Sequence, residues 1–385
     1  MSTHPLLLQE FADIGFLLFS CANNHAADGG VSGIIATIQH LRRRGLAFSG
    51  IGMNLAEACA PAYLDTEAGR VALISATSFF RTGEDASEQG RDCIGRPGIN
   101  PLRFSTTYQV DAESFTMFKK VNEKLGFQQE QVRRRAHFYS PGELPEDGPD
   151  QLDFQGTRIR KGEDFRFSTS YNKEDAAANL RAIREARRQA DWVIFSSHYH
   201  EFGAADRLTA TSRTDLPDPA KFFVDFAHEA IDAGADIVAG HGPHVALGVE
   251  IYKGRPILYS LGDFILQNDN VEIIPAESYG RFGLGHDATP ADFFDARSGN
   301  GTRSFSVFPE YWQSYVATCE FAGRALKTVN LHPIDLGFGL SRAQQGRPVL
   351  ASGEVAERIL SRAKRLSLRN GTTIDIEGEL GRIRL

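Results

Sequence analysis

The sequence predicts a layered α/β fold, and three observations carry that expectation. Short apolar runs end in polar, histidine-bearing loops, helical repeats of apolar residues separate them, and the opening order is β-α-β. With 385 residues, 42% of them hydrophobic and 24% charged, the chain holds enough apolar material for a substantial core.

Residues 16–22, FLLFSCA, read as a buried strand that delivers Asn23-Asn24-His25 to a loop. Beyond Asp28-Gly29-Gly30, the residues Ile34, Ile35, Ile38 and Leu41 recur at helical spacing over 32–44, closed by Arg42-Arg43-Arg44 and Gly45. A strand near 47–51 and another over 70–77, RVALISAT, complete the β-α-β unit. From about 80 to 175 the texture turns to Arg, Glu, Gln and Gly with weak periodicity, and apart from a helix expected near 111–140 this stretch reads as an insertion or lid. A helix over 175–190 and a strand over 192–196 follow, ending at Ser197-His198-Tyr199-His200-Glu201.

A helix opening at Pro219 places Phe222, Phe223, Phe226, Ala230 and Ile231 on one face and closes at Gly234. The strand 237–239 then delivers Gly240-His241-Gly242-Pro243-His244, with strands at 248–252 and 256–260 behind it. Residues 270–315, rich in Gly, Asp and Phe, are expected to loop over the surface. Strands near 315–321 and 328–331 and a helix near 354–366 complete the chain. The expected division is a domain over 1–270, interrupted by the insertion, and an extension over 271–385 packed on the same domain.

The net charge of -7 offers no basic surface for nucleic acid, so an anionic partner needs a local positive site. Cys21, Cys59, Cys93 and Cys319 lie too far apart for a zinc cage and suggest ordinary thiols. The first twenty residues have no basic leader, and Gln9, Glu10 and Asp13 break their apolar runs. Neither a signal peptide nor a membrane span is expected, which puts the chain as written in the cytoplasm. A serine-nucleophile hydrolase ranks low, because no G-x-S-x-G elbow occurs.

Three histidine-bearing loops at strand ends converge on one edge of the sheet in a fold of this class. Imidazole nitrogens with amide and carboxylate oxygens suit Zn, Mn or Fe better than Mg or Ca. Such an ion activates water and neutralises substrate charge, while a histidine beside it moves the leaving-group proton. Asn23-Asn24-His25 also has a plainer reading as an Asx turn. Gly-His-Gly-Pro-His is more specific, since two glycines and a proline fix an irregular backbone that serves to aim the flanking histidines. Of His198 and His200, one is expected to face the site and the other to be structural. His40 and His228 are expected to be solvated on their helices. Arg96 and Arg103, in the stretch Arg96-Pro97-Gly98-Ile99-Asn100-Pro101-Leu102-Arg103, either fork onto an anionic substrate or sit in an exposed turn. With His200 and Glu201 they are the candidate substrate contacts.

The ordered series A-N-N-H-A-A-D-G, S-H-Y-H-E, I-D-A-G-A-D-I-V-A-G-H-G-P-H-V and G-V-E-I-Y-K-G-R-P-I-L-Y-S-L-G-D-F resembles the CapA-type poly-γ-glutamate capsule-biosynthesis proteins, which have the calcineurin-like metallophosphatase fold. The resemblance spans about residues 10–268, interrupted over 80–175. It implies a layered β-sandwich flanked by helices. It further implies that Asn24 is an amide-oxygen metal ligand, that His25 contacts the substrate or leaving group, and that Asp28 orients His25. His198 would be a metal ligand and His241 with His244 the closing ligand pair.

Two departures stand out. Only 22 residues precede the Asn-His segment, without the acidic metal motifs that the family places upstream, so a two-metal centre is expected to be incomplete in the chain as written. Gly262-Asp263-Phe264 carries Asp where the family pattern has Asn, either as a replacement ligand or as a surface difference. The expected function is a metal-dependent hydrolase acting on a phosphoester, a small anion or a glutamyl polymer. The alternative is a non-catalytic component that binds the polymer or its assembly partners.

Overall fold

The computed structural model describes residues 3–137 and 147–385. The elements that frame the molecule are, in chain order, β1 (Leu18–Ser20), α1 (Gly30–Arg43), β2 (Ala47–Ser49), β3 (Ala62–Thr66), β4 (Gly69–Thr77), α2 (Lys173–Gln189), β5 (Trp192–His198), α3 (Lys221–Ala233), β6 (Ile237–His241), β7 (Val249–Tyr252) and β8 (Arg255–Leu258). They are followed by β9 (Gln313–Ala322), β10 (Ala325–Asp335), α4 (Gly353–Leu368) and β11 (Leu380–Arg384). The main sheet runs β7-β8-β6-β5-β4-β3. Its four inner strands are parallel and the two edge strands antiparallel.

Side chains of a strand alternate between faces, and that alternation divides the main sheet cleanly. Ala72 and Ile74 of β4, Val193 and Phe195 of β5, Val238 of β6 and Ile257 of β8 join one core with Leu180 and Ile183 of α2 and Phe222, Phe223 and Phe226 of α3. The residues between them, Ser75, Ser196, His198 and His241, therefore belong to the opposite face. Both helices form for local reasons. Asn172 accepts hydrogen bonds from the amides of Glu174 and Asp175 at the start of α2, and α3 ends on Gly234 in a left-handed conformation at φ 119°. At the start of α3, the Phe222 amide donates to Thr169 Oγ1 at 3.1 Å.

The opposite face has two covers. At one end lies the parallel ribbon β1-β2, backed by α1, whose Ile34 and Ile38 pack with Ala22, Ile51 and Ile99. At the other end the sheet β9-β10-β11 and helix α4 bury Ala246, Val249 and Leu258 against Val329, Leu331, Leu360 and Ile383. Edge strand β7 is protected as well, because Ser367 Oγ and Thr372 Oγ1 accept from the amides of Val249 and Ile251. The result is the layered α/β sandwich that the sequence predicts.

Several expectations need correction. The strand expected over 16–22 spans only Leu18–Ser20, pairs with β2 outside the main sheet, and leaves Phe16 and Leu17 40% and 47% exposed. It meets the main sheet through hydroxyls: Ser20 Oγ lies 2.7 Å from Ser75 Oγ and accepts from Ser196 Oγ at 2.9 Å. The stretch 80–175 holds a four-stranded sheet (Phe104–Val110, Gln151–Phe154, Thr157–Lys161 and Arg166–Tyr171), hidden from a periodicity reading by polar residues on its strands. Phe104 stacks on Phe222 at 4.7 Å, so this sheet is anchored to the helix layer. The helix expected over 111–140 is two helices, Ala112–Lys124 and Phe127–His137, broken at Gly126 with φ 73°, and its last expected residues lie outside the described ones.

The loops expected over 270–315 include helices Ala276–Arg281 and Pro290–Ser298. The second is announced by a Thr289/Asp292 capping box with Pro at its first turn, a signal present in the sequence but outweighed by the Gly and Asp content. Among the described residues no helix is long and apolar enough to cross a membrane.

Candidate active site

Register places the first two site histidines. In the parallel pairing of β5 with β6, His198 stands opposite His241, and in the pairing of β5 with β4 it stands opposite Thr77. Both histidines close their strands on the face away from the helices, and their Nδ1 atoms approach to 3.0 Å. The loop after β6 then turns in a space that excludes side chains. A Cβ on Gly240 would lie 2.1 Å from the Tyr259 carbonyl oxygen, and Gly242, at φ 113°, would put one 2.3 Å from the Tyr199 carbonyl oxygen. His244 itself takes a left-handed φ of 64°, a strained backbone that aims its ring back at the cluster.

His200 joins them. Its Nε2 lies 3.0 Å from His198 Nε2, its ring is edge-on to His244 at 5.4 Å, and it stacks on Phe79 at 4.5 Å. The expectation that only one of His198 and His200 faces the site is therefore wrong, for a simple reason: residues two apart share a face. It is Tyr199, between them, that turns into the core and donates to the Tyr259 carbonyl at 2.6 Å.

Carboxylates fix two of the rings. Asp28 Oδ2 lies 2.8 Å from His25 Nδ1, and Asp263 holds His244 Nδ1 at 3.0 and 3.1 Å. With Nδ1 occupied, Nε2 of each ring is the atom left for chemistry. Asn23, rather than Asn24, makes the Asx turn, accepting from the His25 amide at 2.9 Å, while Asn24 Nδ2 stands 3.4 Å from His25 Nε2. His241 Nε2 meets Ser196 Oγ at 3.1 Å, continuing the hydroxyl chain to Ser20 and Ser75.

Burial keeps His198, His200 and His241 neutral, helped at the first two by their charged neighbours. Burial drives His198 far below the ordinary histidine range, and the nearby His241, His200, His244 and His25 push the same way. Burial lowers His200 to about 3, with His244 and Arg213 adding to the effect. His241 falls to about 4 by burial, opposed by Asp263. Burial raises the Glu201 carboxyl against the pull of the Ser78 hydroxyl, which donates to it at 2.8 Å. Partial burial also works to raise Asp28, but hydrogen bonding, including that with His25, outweighs it and holds the carboxyl below its usual value.

Of the residues singled out in the sequence, the structure brings His198, His200, His241 and His244 together, pairs His25 with Asp28, and sets Glu201 against Ser78. Sequence reasoning misplaced the arginines. Arg103 forks onto Asp175 at 2.6 and 2.8 Å, and Arg96 donates to the Asp85 carbonyl at 2.9 and 3.1 Å, so both are engaged in holding loops. Nor is His228 simply solvated, since it stacks on Tyr252 at 4.0 Å and bonds Glu250 at 2.9 Å. Phe79, Ser196 and Arg213 were not anticipated, and nothing in their local sequence marks them.

The donors suit a borderline transition metal in kind, and one pair of them does so in spacing. Two ligands at about 2.0–2.1 Å from one ion stand roughly 3 Å apart, as the Nδ1 atoms of His198 and His241 do. Among the described residues, however, no three His, Cys, Asp or Glu side chains close on one point.

Comparison with known proteins gives these residues a lineage. Residues 1–268 match the family described as bacterial capsule synthesis protein PGA_cap. An uncharacterised protein of Sinorhizobium fredii is 34% identical over 99% of this chain and 79% of its own length. The PGA biosynthesis protein CapA of Bacillus subtilis is 24% identical over 69% of this chain and 46% of its own. A probable polyglutamine synthesis accessory protein of Mycobacterium tuberculosis is 55% identical over a shorter stretch, 24% of this chain and 20% of its own. The fold is accordingly metallophosphatase-like, and the chain belongs to the bacterial capsule synthesis protein family PGA_cap.

Proposed function

We propose that this protein serves poly-γ-glutamate capsule biosynthesis as a metal-dependent hydrolase acting on an anionic, glutamyl-type substrate. The observation that carries the reading is the juxtaposition of His198 and His241 on adjacent parallel strands, beside two further histidines each oriented by a carboxylate. His198 and His241 would hold the ion through Nδ1, with His244 Nε2 and the Asn24 amide oxygen as the remaining donors. A bound Mn, Fe or Zn would supply charge neutralisation and a nucleophilic water at neutral pH.

The residues of the chain do the rest. Asp28 holds the His25 Nδ1 proton, so His25 presents Nε2 to the substrate and can donate or accept the proton of the leaving group. Asp263 sets the tautomer of His244 in the same way. Burial keeps the His198 and His241 imidazoles in the neutral, ligating form.

Elemental analysis of purified protein tests the reading, together with release of glutamate from a γ-glutamyl oligomer. Wild-type protein is expected to retain a transition metal, and His241→Ala to lose most of it along with at least about 99% of the hydrolysis. Metal content and turnover both unchanged in His241→Ala would sink the proposal. One observation favours a second reading: the described residues offer no three-ligand set, which suits a non-catalytic polymer-binding component. Under that reading the oligomer binds and is never cleaved, whatever metal is supplied.

A further inference from the structure

Beside the histidine cluster, and separated from it by one aromatic ring, lies a cavity that none of the chemistry above uses. Phe305 is the partition. Its ring is edge-on to His244 at 5.4 Å and packs against Tyr311 at 4.5 Å, and the same residue lines the cavity. Trp312 forms part of the wall and fixes the partition by donating from Nε1 to the Phe305 carbonyl at 2.7 Å. Arg297, Arg342, Ser304 and Ser306 give the lining its polar part.

Among the described residues, carboxylates do not match all the cations that line this cavity. Arg342 is paired with Asp295. Arg297 makes no ion pair with any carboxylate among the described residues, and its guanidinium is lowered by burial alone. A guanidinium in such a place binds a planar, bidentate anion well, and the neighbouring hydroxyls add neutral donors. On the histidine side of the partition a second cation, Arg213, lies close enough to Glu201 and Tyr311 to oppose the rise that burial gives both and that Glu310 and Asp263 add to at Tyr311. Two cations thus flank one aromatic wall, an arrangement that suits a ligand carrying carboxylates at intervals along an apolar stem.

We propose that the Arg297 cavity is a subsite for a free carboxylate of the substrate, taken from the unit adjoining the one at the histidine cluster. This rests on the glutamyl reading above, in which every γ-linked unit carries a free α-carboxylate on a short methylene chain. Arg297 grips that carboxylate, Phe305 and Trp312 cover the methylenes, and Arg213 meets the next carboxylate along.

The chain has two tryptophans, Trp192 and Trp312, so a Trp192→Phe background makes Trp312 a fluorescence reporter inside the cavity. The titrants are a γ-linked glutamate oligomer, the same oligomer with its α-carboxylates amidated, and inorganic phosphate. The expected result is a saturable Trp312 signal with the acidic oligomer, a Kd raised at least about tenfold by Arg297→Gln and less by Arg297→Lys, and little response to the amidated oligomer. Circular dichroism confirms that each variant is folded. Acidic-oligomer binding that Arg297→Gln leaves unchanged overturns the subsite and spares the glutamyl reading. A Trp312 response to phosphate with none to the acidic oligomer overturns both.

Discussion

At the residue scale, the site is governed by which nitrogen of each imidazole is taken and by how little water reaches the ring. Asp28 and Asp263 claim Nδ1 of His25 and His244, while His198 and His241 turn Nδ1 toward each other. Buried imidazoles kept neutral make stability depend on pH in a definite direction. His241 has a folded pKa of about 4, below the ordinary 6.5, and His198 and His200 shift the same way. Above about pH 6.5 both folded and unfolded chains are neutral at these rings and pH has no effect through them. As pH falls from 6.5 toward 4 the unfolded chain takes up protons that the native one refuses, so stability is lost. His241 alone should cost about 2–3 kcal/mol across that window. Urea unfolding in chelator at pH 7.5 and 4.5 should show the loss, and His241→Asn should shrink it; a flat profile in the wild type would count against a neutral cluster. Most of these residues were legible in the sequence, because an Asn-His pair and a Gly-His-Gly-Pro-His run have little use in packing. Asp263 was noticed as a departure from the family pattern, yet its role became visible only through His244. Arg213 and Phe305 carry no local signature, since only the folding of distant loops brings them to the cluster.

At the element scale, the parallel strands and their helices were the readable part. Alternation on β4 and β5 and the 3.6-residue repeat on α1 and α3 come from burying one face against another, and such burial leaves a pattern. The strands of the 104–171 sheet left none, since Phe104–Val110 interleaves Ser, Thr and Gln with its aromatics. Short β1 was over-read for the opposite reason: its apolar run is real, but only three residues pair. What holds the sheet to its helices can be tested on Phe226, which is fully buried, with its ring 4.9 Å from that of Phe195 and 6.0 Å from that of Tyr171. Phe226→Ala is expected to cost about 3–5 kcal/mol by leaving a cavity between α3 and the sheet. Thermal or urea unfolding would register this as a large midpoint shift. A loss below about 1 kcal/mol would mean that the α3 interface is far looser than its burial implies.

At the scale of the whole molecule, the family match ends at residue 268 while the hydrophobic layers do not. Leu258 and Val249 of the main sheet face Val329 and Leu331 of β10, Leu360 of α4 and Ile383 of β11, so part of the main sheet's covering lies beyond the matched region. Tyr315 of β9 reinforces the join by donating from its hydroxyl to the carbonyls of Leu247 and Ser260, directly behind the His244 loop. Cutting the chain after residue 268 would strip these partners at once, exposing the apolar face of β7 and β8 and leaving the amides of Val249 and Ile251 without Ser367 and Thr372. Each fully buried apolar side chain so uncovered forfeits about 1.5–3 kcal/mol, and several together exceed the 5–15 kcal/mol by which a domain is ordinarily stable. A 1–268 chain is therefore expected to aggregate or to bind a hydrophobic dye while lacking near-ultraviolet circular dichroism. In the full chain, the single change Leu331→Ala should cost about 2–5 kcal/mol and leave the fold intact. A soluble 1–268 fragment that unfolds cooperatively would show instead that the C-terminal sheet is a separate layer and that the histidine loops are held by the first 268 residues alone.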